Sequence, residues 1–407
     1  MSTQAAPPGP LLLDALSLLS EVADDLVVRT ARDTHLAILD RVHTLLRTPT
    51  AGTAALPEVV HRGIAGAVYG GIGLGLRGAS AGLDRWAATG AGPRLEDDPR
   101  GRFLSSAVNG LIGDRLLRER PQMAIPLALR HACRDLEPDP APLARAFRDA
   151  SGDLVVFLHG LCESEEVWDA HRDRTGTTYG ETLAGEGWSP LYLRLNTGLP
   201  LRENGAALAG LMQRIVDAWP VPVRRVALVG HSMGGLVVRA AGAVVAETPT
   251  AGRPWAELVT DVVTLGTPHL GAPVARGVGH GSRGLGLLPE TAAFGRILDW
   301  RSQGVHDLVA GLTEDVPPWA HARYHLVAAT VTGARRHPVG DLVGDGLVRP
   351  RSAYGSDRTG RRLFPDADVL HVGRTDHFGL LNHPDVHDAL RRWLCAGDAG
   401  RPVTMER

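Results

Sequence analysis

From residue 152 onward the chain alternates between two hydrophobic rhythms. Short runs rich in valine and leucine occur at 154–158 (LVVFL), 191–195 (LYLRL), 225–229 (RVALV), 261–265 (DVVTL), 323–329 (RYHLVAA) and 368–372 (DVLHV). Their length and near-continuous apolar character predict strands buried on both faces. Between them, apolar residues recur every three or four positions and predict helices over 203–218, 234–247 and 385–395. Strand and helix in alternation imply βαβ units and an α/β fold, a mostly parallel sheet flanked by helices. Residues 272–320 interrupt the alternation with a glycine-rich, partly helical insertion.

The first 150 residues follow a helical period. Over 11–47 the apolar positions Leu12, Leu16, Leu19, Val22 and Leu26 share one face, and TPTAGTAALP (48–57) breaks the pattern. GIAGAVYGGIGLGL (63–76) is apolar but short, glycine-laden and flanked by arginines, which predicts a closely packed helix and not a membrane span. Helical pattern resumes from Phe103 through Arg130, and the proline-punctuated EPDPAP (137–142) reads as a boundary. The expected organisation is a mainly helical N-terminal region over 1–150, of no assigned role, followed by an α/β domain over 151–398. The 272–320 insertion lies where a cap over the sheet would sit. Its Leu285, Leu287, Leu288, Phe294, Ile297 and Leu298 either line an acyl pocket or pack on the core.

RVALV ends at Gly230 and is followed by HSMGG and the helical LVVRAAGAVVA. Strand, sharp glycine-flanked turn and helix are the context that makes Ser232 a nucleophile candidate, with Gly230 and Gly234 small because strand and helix crowd the turn. A serine hydroxyl is a weak nucleophile and needs a base, itself oriented by a third group. The loop after 323–329, GDLVGDGLVRPRSA (340–353), offers Asp341 and Asp345; Asp345, in a D-G turn, is the better placed acid. The stretch VLHVGRTDHFGLLNHP (369–384) offers His371, His377 and His383. His371 belongs to a strand pattern and His383 precedes the proline that opens the last helix, so His377, in the loop between them, is the candidate base. The chain order Ser232, Asp345, His377 is then that of α/β-hydrolase triads. Oxyanion donors are expected from the backbone N–H of Met233 and, after LVVFL, from that of Leu161, with Gly160 permitting the tight path of HGLC. His159 is expected to be structural.

HGLC, GHSMGG, LGTPHLGAP (265–273), GDGLV (344–348) and HFGLLNHPDVHDALRRWL resemble the lipase/esterase branch of the α/β-hydrolases, including bacterial proteins similar to the catalytic domain of GPI inositol-deacylases. The resemblance covers about residues 152–396. It implies hydrolysis of carboxylic esters, often lipidic, through a Ser-His-Asp triad and an acyl-enzyme, with no metal and no cofactor. Acyl transfer to another alcohol and polyester depolymerisation would use the same residues. A non-catalytic binding module with a fossil site is the reading from a different class.

Composition narrows the partners. The formal net charge is −2 and aromatic residues make up 5%, so neither a basic field nor an aromatic-basic surface points to nucleic acid. All 43 cationic side chains other than histidine are arginine; the sequence has no lysine. Cys133, Cys162 and Cys395 are scattered, which fits a reducing compartment and no disulfide framework. MSTQAAPPGPLLLDALSLLSEVADD lacks a basic n-region, so no signal peptide is read and a cytoplasmic location is expected. His383 and His387 are four apart but lack the glutamate and third ligand of a zinc site. The expected partner is an ester or lipid small molecule. Peripheral membrane contact and oligomeric state are left open by the sequence.

Overall fold

The apolar runs pair into one sheet. The computed structural model describes residues 10–22, 24, 28, 32, 55–245, 254–272, 302–312, 316, 318–334, 337–357 and 359–395. Its strands are β1 (Ala128–His131), β2 (Arg134–Leu136), β3 (Asp153–Leu158), β4 (Ser189–Arg194), β5 (Arg225–His231), β6 (Val259–Leu265), β7 (Arg323–Thr330) and β8 (Asp368–Gly373). They form an eight-stranded sheet in the order β2-β1-β4-β3-β5-β6-β7-β8. β3 to β8 are parallel to one another, while β1 is antiparallel to both β2 and β4. The α/β architecture expected from the alternation is therefore present, and β3 to β8 coincide with the six apolar runs.

Among its helices are α1 (Leu12–Val22), α2 (Ala55–Ala87), α3 (Pro99–Glu119), α4 (Tyr179–Gly185), α5 (Leu201–Ala218), α6 (Met233–Val245), α7 (Gln303–Ala310) and α8 (Pro384–Leu390). Side-chain alternation sorts each central strand between two layers. Leu154, Val156 and Leu158 of β3 face a cluster with Leu208, Leu211 and Met212 of α5 and Leu236 and Val237 of α6. Val155 and Phe157 face the opposite layer, with Tyr179 and Leu183 of α4 and Val386 and Leu390 of α8. All five β3 residues are fully buried, which is why the run reads as continuously apolar.

The β1–β2 hairpin departs from the helix expected through Arg130. Pro121 follows α3 closely, and Ala132 and Cys133 take the two-residue turn at φ 47° and 59°, as twisted hairpins require. Two residues of β1 are buried: Leu129 in the core, and Arg130, paired with Glu165 (2.7 Å) and Asp135 (2.5 Å). A strand of four residues with a charged side chain at one of its two buried positions gives little hydrophobic signal.

The described residues fall into two compact units, one of residues up to 105 with 121–123, the other of 106–120, 124–272 and 302–395. In the first, α1 packs on α2: Ser17 Oγ and Ser80 Oγ are 2.9 Å apart, and Asp24 pairs with Arg77. The face carrying Leu12, Leu16 and Leu19 is exposed; Asp14, Ser17 and Leu18 of α1 are buried, with Leu11 just before it. The segment 63–76 is helical as expected; a Cβ on Gly73 would run into the Asp24 carboxylate, whereas one on Gly63, Gly66, Gly70, Gly71 or Gly75 would meet no described neighbour. Among the described residues no helix is long and apolar enough to cross a membrane.

In the second unit, residues 106–119 of α3 are built into the α/β structure. Asn109 Oδ1 accepts the Ile125 N–H (3.0 Å), Gly110 O accepts the Ser302 hydroxyl (2.7 Å), and the Cys162 thiol lies 3.5 Å from Ala107 O. The insertion residues Leu285, Leu287, Leu288, Phe294, Ile297 and Leu298 lie outside the described residues, as do 273–301 as a whole.

Candidate active site

The sheet order creates the crevice. From β3 the chain crosses to β4 on one side and then returns to place β5 on the other, so the loops after β3 and β5 diverge at a topological switch point. Leu158 of β3 lies opposite Gly230 of β5, and residues 159–162 and 231–233 leave the sheet side by side. Ser232 sits at the tip with φ 51°, a left-handed conformation that is strained for a side chain and expected of an elbow. Its N–H donates to Leu265 O at the end of β6 (2.8 Å).

Close approach dictates the glycines. A Cβ at Gly230 would run into the backbone of Gly235, and one at Gly234 into the carbonyl oxygen of Leu158. Across the crevice, a Cβ on Gly160 would lie 2.9 Å from that of Ser232. Gly234→Ala is expected to cost about 1–3 kcal/mol of stability, because backbone and not a pliable side chain must move. Urea denaturation checks this, and a change under about 0.5 kcal/mol would contradict the steric role.

His377 and Asp345 meet at two points. The His377 N–H donates to Asp345 O (3.0 Å), and its Nδ1 lies 2.8 Å from Asp345 Oδ2. Asp345 Oδ1 accepts the N–H groups of Leu347 (3.0 Å) and Val348 (2.8 Å), so the carboxylate is held by the D-G turn. With Nδ1–H donated to a carboxylate, Nε2 is left as the acceptor nitrogen. The imidazole lies against Gly266, whose preceding carbonyl holds the Ser232 N–H, so serine and imidazole border the same crevice. Ser232, Asp345 and His377 are all buried, at 7%, 2% and 3% exposure.

The other candidates are placed elsewhere. Asp341 is exposed and lines a cavity of about 1030 Å³ with Arg351, Tyr354 and Phe364. His371 bonds the Thr330 hydroxyl (2.9 Å), and His383 caps α8 by accepting the Asp385 N–H (3.2 Å). His159 is fully buried; its Nε2 accepts the Leu195 N–H (3.0 Å), leaving Nδ1–H for Gly160 O (2.9 Å), and burial lowers its pKa. Burial and the nearby Glu163 carboxylate push the Cys162 thiol up to about 11, so it stays protonated at neutral pH.

Of the backbone donors expected around an oxyanion, Met233 directly follows the serine, and Leu161 follows Gly160, whose added Cβ would approach that of Ser232. Met233 opens α6, where the first N–H groups of a helix have no intrahelical acceptor. Leu161 lies between two committed N–H groups: that of Gly160 donates to Glu163 Oε2 (2.6 Å) and that of Cys162 to the Thr197 hydroxyl (3.1 Å).

Residues 196–280 match the family of the PGAP1-like alpha/beta domain, a span that holds α5, β5, the Ser232 turn and β6. The central sheet flanked by helices is consistent with α/β-hydrolase architecture. Among solved structures the chain is similar to the mature form of the lipase BlEst2 from Bacillus licheniformis, at 23% identity over 59% of this chain and 90% of that one, with a TM-score of 0.41. It is also similar to carboxylesterase CesB (YbfK) from Bacillus subtilis, at 15% identity over 72% and 99% of the two chains, with a TM-score of 0.37. The comparison with curated proteins gives no match.

Two buried polar residues near the Ser232 turn carry no signal in the sequence. Glu163 and His231 are buried beside the elbow, with Glu163 Oε2 3.0 Å from His231 Nδ1. In sequence one is an acid in a polar loop and the other the variable position of G-x-S-x-G. Only the adjacency of β3 and β5 brings them together.

Proposed function

We propose that the α/β unit is a serine hydrolase acting on carboxylic esters of the lipase/esterase type. The observation that carries this reading is the two-point pairing of His377 with Asp345, in a crevice that it shares with a serine held at φ 51°. Ser232 Oγ attacks the acyl carbonyl while His377 Nε2 takes its proton. Asp345 fixes the tautomer and stabilises the imidazolium that forms. The N–H groups of Met233 and Leu161 hold the tetrahedral oxyanion, which collapses as His377 protonates the departing alcohol. Water then attacks the acyl carbon as it gives a proton to His377, and His377 returns that proton to Ser232 Oγ as the acid departs. None of these steps calls on a metal or a cofactor.

The test is turnover of p-nitrophenyl esters across a series of acyl lengths, joined to mass-spectrometric mapping of a fluorophosphonate adduct. Turnover with the adduct on Ser232 is the expected result, and the acyl optimum sizes the pocket. A chain that turns over no ester and takes no label overturns the reading in favour of a binding module. An ester product formed with added acceptor alcohol would move the assignment from hydrolase to acyltransferase.

A further inference from the structure

Glu163 and His231 stand between the two loops that the proposed chemistry must hold in register. Glu163 Oε2 accepts the Gly160 N–H at 2.6 Å and lies 3.0 Å from His231 Nδ1. On the far side of the ring, His231 Nε2 lies 3.3 Å from the carbonyl oxygen of His377. A carboxylate oxygen and a carbonyl oxygen are both acceptors, so each ring nitrogen must carry a proton, and the ring is an imidazolium. It is fully buried and its charge is compensated by Glu163. One continuous hydrogen-bonded path therefore runs from the N–H of Gly160, through carboxylate and imidazolium, to the backbone of His377.

We propose that Glu163 and His231 are positioning residues whose ion pair sets the spacing between the Gly160–Leu161 loop and the His377 loop across Ser232. The inference rests on the reading of Ser232 as nucleophile. A buried ion pair contributes little net stability compared with apolar packing, and its best-attested role is to specify geometry. Here both ends of the path reach backbone on either side of the crevice, where displacement of an oxyanion donor or base by an ångström costs rate.

The pair carries a pH signature. The groups facing His231 are Glu163 from the loop after β3, His377 with its ring 4.8 Å away, and Asp345, whose charge also favours the cation. Trp168 and Phe378 supply apolar edges, and the neutral His159 lies near Glu163. Burial opposes the charge on His231, but Glu163 outweighs it and raises the pKa above the ordinary histidine value. Burial likewise opposes ionisation of Glu163, and His231 with the Gly160 N–H holds its pKa below the usual carboxylate range. The pair is thus complete above the lowered pKa of Glu163 and is lost as pH rises through the raised pKa of His231.

The experiment compares the full chain with Glu163→Gln and Glu163→Asp, using p-nitrophenyl ester kinetics from pH 6 to 10, fluorophosphonate labelling and thermal melts. For Glu163→Gln we expect kcat to fall about tenfold with KM within about twofold, the scale of one charge-assisted hydrogen bond. Its falling alkaline limb should move toward acid, and Glu163→Asp should move it back. A folded Glu163→Gln with the parent's kcat and pH profile overturns the proposal, as does a loss with an unmoved limb. Should Glu163→Gln not fold, ¹⁵N histidine spectra of the parent decide: a doubly protonated His231 at pH 7.5 supports the pair and a neutral ring overturns it. A parent that is labelled while Glu163→Gln behaves identically sinks this inference alone; an unlabelled, inactive parent sinks the nucleophile with it.

Discussion

Ser232→Ala is expected to lower kcat on p-nitrophenyl esters by about 10⁴- to 10⁶-fold, down to the residual rate given by binding and oxyanion donors. The backbone should barely respond. The strain at φ 51° is borne by any side chain with a Cβ, so alanine inherits it unchanged. The anchoring bond from the residue 232 N–H to Leu265 O is a backbone bond and survives. The Cβ that packs against Gly160 is also retained. Melting temperature should therefore shift little while turnover disappears, and this separation is what identifies a reacting hydroxyl. An alanine variant with more than about a tenth of parental activity would place the chemistry on another group.

What the sequence exposes and what it hides follow from the range of the interactions concerned. β3 to β8 are legible because their two faces are buried in two clusters, which makes each run apolar over its whole length. The Ser232 turn is legible because its steric demands fall on near neighbours: Gly230 and Gly234 lie within two residues of it. Asp345 is marked by the D-G turn that directs its carboxylate, and His377 by its place in a loop between two histidines that local structure claims, one in β8 and one capping α8.

The failures are long-range. Whether the face of α1 that carries Leu12, Leu16 and Leu19 meets a partner depends on how α2 approaches, and it approaches the face of Ser17 and Leu18 instead. The β1–β2 hairpin turns inward with Arg130, stabilised by Glu165, thirty-five residues away in sequence. Glu163 and His231 are separated by 68 residues and become a pair only through the β3–β5 register. Residues 106–119 have no role that their sequence assigns, yet Ala107 O faces the Cys162 thiol in the loop that holds Leu161. That placement ties part of the N-terminal third to the loop expected to supply an oxyanion donor.

Asp345→Asn is expected to cost on the order of 10⁴-fold in kcat, and the reason lies in the asymmetry of its two oxygens. Oδ1 accepts two backbone N–H groups, from Leu347 and Val348, whereas Oδ2 faces His377 Nδ1 alone. An asparagine that keeps its oxygen on the two N–H groups must present its NH₂ to Nδ1. The imidazole then accepts at Nδ1, carries its proton on Nε2 and can no longer take one from a serine. An asparagine turned the other way satisfies His377 but points NH₂ at two backbone donors, which leaves them unsatisfied in a buried turn. Either orientation fails, so the loss should appear in kcat at every acyl length while KM stays near the parental value. The parent's Ser232 should label rapidly with fluorophosphonate and the variant's slowly. A variant within about tenfold of the parent would mean that the backbone bond from the His377 N–H to the residue 345 carbonyl, which asparagine preserves, is sufficient to hold the base. Asp345 would then be a turn residue and not the orienting acid.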